Sequence, residues 1–299
     1  MTNPVNSFHT NFGRFYAHPK FALEHLQAST ALSSFLANNN ITERSDSPYS
    51  PNPSVTNITG MLNKSFLPPY YAKLVAEYAI DNLDGLAYAA EKFGRNVAIG
   101  QLKAVANQPN PASQIGDEVH NAIDLWVKKE LPADHRFSTP TAVHMFEQFL
   151  FFMTQIPFKV IRSEFTVWSY EHGFAGTGDL MLLLEDDFLS PQGVLIPKGV
   201  WLTDAKTGNQ AYPEVAMQTT ALSHADVILD SDGNESPMPP IDFQGVVHVR
   251  PRSVKLHQLA KTDAAWEAFL ACKRLFDWNR FDRDLVLQTP FKTEFQKAA

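Results

Sequence analysis

Gly199-Val200-Trp201-Leu202-Thr203-Asp204-Ala205-Lys206 is rich in β-branched and apolar residues and is closed by Thr207-Gly208, the pattern of a strand and its stop. Side chains alternate across a strand, so Asp204 and Lys206 share one face while Trp201, Thr203 and Ala205 take the other. Upstream, Thr177–Leu184 reads as a second strand followed by the acidic turn Glu185-Asp186-Asp187. Phe158–Tyr170 reads as another, followed by Glu171-His172-Gly173. Those connections are short enough for a three-strand antiparallel meander. On the N-terminal side the period becomes helical. Ile115, Val119, Ala122, Ile123 and Trp126 form an apolar stripe over Gln114–Glu130, and Val143, Phe146, Phe149 and Leu150 form one over Ala142–Met153. On the C-terminal side a helix is expected from about Pro213 to Ala225, then a loop over Leu229–Pro240. A strand at Gln244–Arg250 pairs with Ser253–Leu259, and a closing helix covers Ala264–Phe276. The expected fold is α/β, a central mixed sheet containing the meander and flanked by helices.

Residues 1–53 are rich in Asn, Ser and Pro and read as an N-terminal extension, with a linker over Asn38–Pro53. Within it Gly13-Arg14-Phe15-Tyr16 suggests a short strand and Phe21–Phe35 a helix. The globular domain is expected over 54–287, opening with a short helix capped by Thr56 or Asn57 and a second from Pro69 to about Leu83; residues 288–299 form a tail. Hydrophobic residues make up 44% of 299, enough for a core and too many for a disordered chain. No run of about 18 apolar residues marks a membrane span. The first seven residues lack the basic segment and apolar core of a secretory signal. A lone cysteine, Cys272, can neither close an internal disulfide nor hold an iron–sulfur cluster, and it fits a reducing cytoplasm. A net charge of −7 argues against a protein that coats nucleic acid. It leaves open an enzyme that uses a bound cation and a groove drawn from Lys73, Lys103, Arg162, Lys206, Arg250 and Arg252.

A carboxylate beside an ammonium suits phosphodiester hydrolysis. The carboxylate holds a hard cation, and the lysine orients water and offsets charge developing at phosphorus. Magnesium takes few protein ligands plus water, so a second carboxylate is required nearby. Asp179, after Gly176-Thr177-Gly178 at the start of the neighbouring strand, supplies it; the glycines are read as permitting sharp backbone geometry and close approach of a ligand. His120, one step off the apolar stripe, is a third ligand or a phosphate contact. Gln218, one turn after Glu214, is placed to reach substrate or bound water, and Glu164 is an extra acidic candidate. Taken singly, each has a plainer reading: a solvated strand-end ion pair, an ordinary turn, a satisfied histidine, a helix flank and a solvent-facing glutamate.

In order, Gly116-Asp117-Glu118-Val119-His120, Gly176-Thr177-Gly178-Asp179-Leu180, Asp204-Ala205-Lys206-Thr207-Gly208 and Gln218 resemble the four motifs of the RecB-like branch of the PD-(D/E)XK nucleases. Ser54-Val55-Thr56 and its short helix resemble phage members related to the CRISPR-adaptation exonucleases. The resemblance covers about residues 54–225. It implies a PD-(D/E)XK core, a Mg2+ (or Mn2+) ion on His120, Asp179 and Asp204, Lys206 as the catalytic lysine, and Gln218 as the helix glutamine. The position four residues after that glutamine, usually tyrosine, is Leu222, and the cysteines of the cluster-bearing relatives are absent.

The implied function is a metal-dependent DNA exonuclease in recombination, repair or replication, of phage or bacterial origin and acting in the bacterial cytoplasm. Its partners would be DNA with a free end and a recombinase or single-strand annealing protein, with no membrane. An endonuclease on the same fold, a catalytically inactive DNA-binding relative and a structural protein are the alternatives. The intact Asp179, Asp204 and Lys206 set speaks against the inactive relative.

Overall fold

The structure, a computed structural model, describes residues 7–10, 13–20, 51–62, 67–107 and 111–286. The helix expected over Phe21–Phe35, most of the linker and the tail from Gln288 lie outside them. The described chain opens with β1 (Ser7–Thr10) and β2 (Gly13–Tyr16), and β2 pairs antiparallel with β3 (Asn52–Pro53). Residues read as an extension therefore belong to the body: Phe15, Tyr16, Ala17 and His18 are buried, and Phe15 packs with Val55, Ile58 and Phe276. Helix α1 (Val55–Thr59) is capped by Ser54, whose hydroxyl accepts from the Asn57 amide, rather than by Thr56 or Asn57.

Three helices follow, α2 (Leu67–Asp81), α3 (Leu83–Phe93) and α4 (Arg95–Ala106), of which only the first was legible in the apolar pattern. They pack chiefly on one another. Helix α5 (Pro111–Val127) ends earlier than its stripe suggests. Lys129 adopts φ +60°, and the Glu130 amide donates back to the Leu125 carbonyl, a C-terminal cap that stops the helix. Helix α6 (Pro140–Gln155) starts on Thr139, which accepts from the Ala142 amide, with proline in its first turn.

The sheet then forms: β4 (Lys159–Ser169), β5 (Phe174–Leu184), a small ribbon of β6 (Phe188–Leu189) and β7 (Leu195–Ile196), and β8 (Gly199–Lys206). Helix α7 (Val215–Ser223) leads into β9 (Val227–Leu229), β10 (Glu235–Pro237), β11 (Phe243–Arg250), β12 (Ser253–Leu259) and α8 (Asp263–Asp277). Seven strands run in the order β10-β9-β4-β5-β8-β11-β12. All neighbours are antiparallel except β8 and β11, which are parallel, so the sheet is mixed and β4-β5-β8 is a meander. The loop expected over Leu229–Pro240 is instead partly a hairpin. Asp230 accepts from the amides of Asp232 and Asn234, and Gly233 at φ +82° closes a turn too tight to read from composition.

Alternation along the central strands divides the core between the two faces. Leu180, Leu182, Leu184 and Trp201 meet Val119, Ala122 and Ile123 of α5 and Met145, Phe146 and Phe149 of α6. Met181 and Leu202 meet Val55 and Ile58 of α1, Met217, Ala221 and Leu222 of α7, and Phe269 of α8. Helices thus flank the sheet on both faces. Among the described residues no helix is long and apolar enough to cross a membrane.

Candidate cation site where two strands part

The ladder between β5 and β8 runs from Leu184–Gly199 to Leu180–Thr203. Its next rung would set Asp179 against Asp204. There the strands part, and the Asp179 Oδ2 atom accepts the Ala205 amide at 2.8 Å in place of a main-chain partner. Strand β8 stays anchored on its other side, paired to β11 through Lys206–His248. The parting fixes one carboxylate by the backbone it replaces. It also leaves a second, Asp204, buried beside it. Lys206 Nζ lies 2.6 Å from Asp204 Oδ2. This ion pair is the contact that the buried Oδ2 makes.

Glu164 arrives by a break in alternation. The Ser163 hydroxyl donates to Asp124 on α5, whereas Phe165 joins the core on the opposite face. Between them Glu164 takes φ +44°, a conformation rare for any residue but glycine. Strand β5 breaks at the matching point: Gly178 lies against Phe165, while Leu180 faces α5. Glu164 and Asp179 sit between the paired positions Ser163–Leu180 and Phe165–Gly178. His120 of α5 completes the cluster with Nδ1 at 3.7 Å from Asp179 Oδ2. Among the described residues, His120, Glu164 and Asp179 each offer a ligand atom within 4.8 Å of the others. Asp124, one turn after His120, holds Lys128 at 2.7 Å. Helix α5 passes close to the end of β8 at Gly116, where a Cβ would lie 2.6 Å from Thr207 Oγ1.

Crowded carboxylates resist ionising together. Burial, then Asp179 and Asp124, push the Glu164 carboxyl up to about 8 against the pull of Lys128 and Arg14. Burial, then Asp179, push Asp204 up to about 6 against Lys206 and His120. Burial works to lower Lys206, but Asp204 and Asp179 outweigh it and hold the ammonium above its ordinary value. The site is thus crowded with carboxyl groups that burial and mutual repulsion hold back from full ionisation, beside a retained Lys206 ammonium.

Of the residues singled out from sequence, the structure brings together His120, Glu164, Asp179, Asp204 and Lys206. Asp204 adjoins the three-residue cluster, with Glu164 standing where the expectation had placed it. Gln218 is half-buried on α7, and among the described residues it makes no hydrogen bond to this set. Its neighbours Thr219 and Thr220 instead donate to Gln244 of β11, which fixes the helix on the sheet. The glycines of β5 serve packing rather than sharp turns. A Cβ on Gly176 would lie 2.6 Å from Leu222 Cδ2, and one on Gly178 2.5 Å from the Phe165 ring; neither has positive φ. Leu222, at the tyrosine position, is core.

The expected groove residues do not converge as a set. Lys73 pairs with Glu77 on α2, Lys103 lies on α4 and Arg162 on β4, whereas Lys206, Arg250 and Arg252 lie on β8, on β11 and in the turn after it. Sequence reasoning missed Arg14 and Tyr16, which β2 brings to the Glu164 side of the cluster; Tyr16 is hydrogen-bonded to Thr177 at 2.9 Å. Their signal, Gly13-Arg14-Phe15-Tyr16, was visible as a strand but not as a neighbour. Compared with known protein families and with curated proteins, the chain matches none.

Proposed function

We propose that this chain is a PD-(D/E)XK-type, divalent-cation-dependent nuclease that hydrolyses DNA phosphodiester bonds as an exonuclease. The observation that carries the reading is the junction of Asp179 and Asp204 where β5 and β8 part, with Lys206 beside them and His120 and Glu164 against Asp179. The order and spacing of the sequence motifs favour the same family.

The residues fit a hard cation. Three carboxylates and one imidazole form an oxygen-rich donor set suited to Mg2+ or Mn2+. Asp204, buried beside Asp179 with Lys206 as its cationic contact, adds a carboxylate next to the His120, Glu164 and Asp179 cluster. When bound, the ion supplies Lewis acidity toward a phosphoryl oxygen and a lowered pKa for coordinated water. The remaining work belongs to the protein. The Ala205 amide fixes the orientation of Asp179, and α5 carries His120 against it. Lys206, kept charged by its two acidic neighbours, orients the attacking water and offsets the charge that grows on the phosphate oxygens.

The test is purified protein with Mg2+ or Mn2+ on linear, circular and flapped duplex DNA, each end labelled in turn. Shortening of linear duplex with circular duplex intact is expected. Cutting of the circle would replace the exonuclease by an endonuclease on the same site. No cleavage of any substrate, with Mn2+ bound, would leave the inactive relative.

A further inference from the structure

From Phe243 to Lys261 the chain carries Arg250, Arg252, Lys255 and Lys261, with His248 and His257, and not one Asp or Glu, in a protein whose net charge is −7. This stretch is the β11–β12 hairpin. It lies directly beside the strand that bears Asp204 and Lys206, and β12 is the outer strand of the seven. The register converts composition into a surface. Lys206 pairs with His248, and His248 with Lys255, so three cationic or protonatable side chains form one row across β8, β11 and β12. One rung further in, Val246 pairs with His257, whose ring lies 6.0 Å from that of His248. Arg252, Lys255 and His257 are exposed.

Three members of the stretch are already committed, the first being Lys261, whose ammonium donates to the Ile241 carbonyl. Arg250 donates to the Thr207 and Gly208 carbonyls and to Asn209 Oδ1, and His248 Nε2 donates to the Gly208 carbonyl. They hold the loop that leaves Lys206, and so fix the hairpin to the site. Among the described residues, the exposed Arg252, Lys255 and His257 make no such hydrogen bond. A single lysine on an edge strand is explained by protection against edge-to-edge pairing. That accounts for Lys255 and leaves Arg252, His257 and the absence of acids unaccounted for. Positive charge is crowded here: desolvation, then His248 and Lys255, hold the His257 imidazole below its ordinary range.

We infer that the β11–β12 hairpin is the nucleic-acid track of this protein, a surface that holds the phosphates of one strand of duplex DNA and leads them across the sheet edge to Lys206. Strands lie about 4.8 Å apart, so the row from Lys206 to Lys255 spans about 10 Å. Over that length one strand of a duplex presents about three phosphates. The choice of DNA rests on the nuclease reading of the adjacent site, whereas the binding surface rests on the hairpin's own charge and register.

The experiment is fluorescence anisotropy of a short fluorescein-labelled duplex with the full chain in Ca2+, over a series of salt concentrations. Wild type is compared with the exposed-residue variant Arg252→Glu/Lys255→Glu, alongside Mn2+ binding by both. The variant is expected to bind Mn2+ as wild type does, to lose at least about tenfold in DNA affinity at low salt, and to show a salt slope shallower by about two. Affinity and slope within about twofold of wild type would overturn the inference and leave the nuclease reading standing. So would failure of wild type to bind the duplex, or equal competition by polyglutamate, which would mark an unspecific anion surface. Hairpin-dependent binding without cleavage in Mn2+ would sink the nuclease reading and support the track.

Discussion

The central strands and the helical segment α2–α4 are written in similarly apolar sequence and end in opposite situations. Strands β5 and β8 bury nearly every apolar side chain between two helical layers, including Leu180, Met181, Leu182, Trp201 and Leu202. The three helices bury only Ala89 and Ala98, and leave Ile80, Leu83, Tyr88 and Phe93 more than half exposed. A strand in mid-sheet has two faces and two covering layers. Among the described residues, these three helices pack chiefly on one another and leave their outer faces uncovered. Stability and site precision therefore belong to the sheet, and the helical segment should open at lower cost.

The comparison can be broken most directly at Trp201, which stacks on Phe243 and meets Phe158 edge-on. Trp201→Ala should cost about 3–5 kcal/mol in urea unfolding; a loss below about 1 kcal/mol would mean the sheet is not the stable core. Next comes the polar end of the same strand. Asp204→Asn should lower cleavage roughly 10²–10³-fold, about 2.7–4 kcal/mol. The variant should still fold, since Asp179 remains to offset the Lys206 ammonium, but with a lowered thermal midpoint because the buried ion pair is lost. Wild-type cleavage would remove Asp204 from the reaction. Lys206→Ala should fold, keep most of its metal affinity and lose about two orders of magnitude in single-turnover rate at saturating Mg2+. A loss under about threefold would reduce the lysine to an ion pair of about 0–1 kcal/mol.

A smaller effect is expected where the N-terminal strand meets the sheet. His18 is fully buried with its ring edge-on to Trp168 at 5.1 Å, and desolvation lowers its pKa from 6.5. The folded state thus prefers the neutral ring. Its contribution is complete above pH 6.5 and declines as the pH falls below it. Denaturant midpoints from pH 7.5 to 5 should drop more for wild type than for His18→Asn, and parallel curves would refute the assignment. The smallest effect lies in the helices: Phe93→Ser should change stability by less than about 0.5 kcal/mol. A cost near that of Trp201→Ala would erase the contrast between the two regions.

The sequence by itself determined the elements whose signal is local. Alternation over the three strands and the short turn before β5 were sufficient for the β4-β5-β8 meander, although β5 connects to β8 through the β6–β7 ribbon rather than a short turn, and the apolar stripes were sufficient for α5 and α6. The pairing of β11 with β12 and the sharing of a face by Asp204 and Lys206 follow from the same period-two rule. What depends on partners distant in the chain was decided only by tertiary structure. Phe15 and His18 are core because β3 pairs with β2, which no composition of residues 1–53 announces. The glycines of β5 read as permitting sharp backbone geometry and close approach of a ligand, yet Leu222, Val55 and Phe165 require them for packing. Glu164 alternates on paper with exposed residues and reaches Asp179 only because its backbone turns to φ +44°. Periodicity reports which face a residue would take on a regular element, and the candidate site lies where β4 and β5 stop being regular.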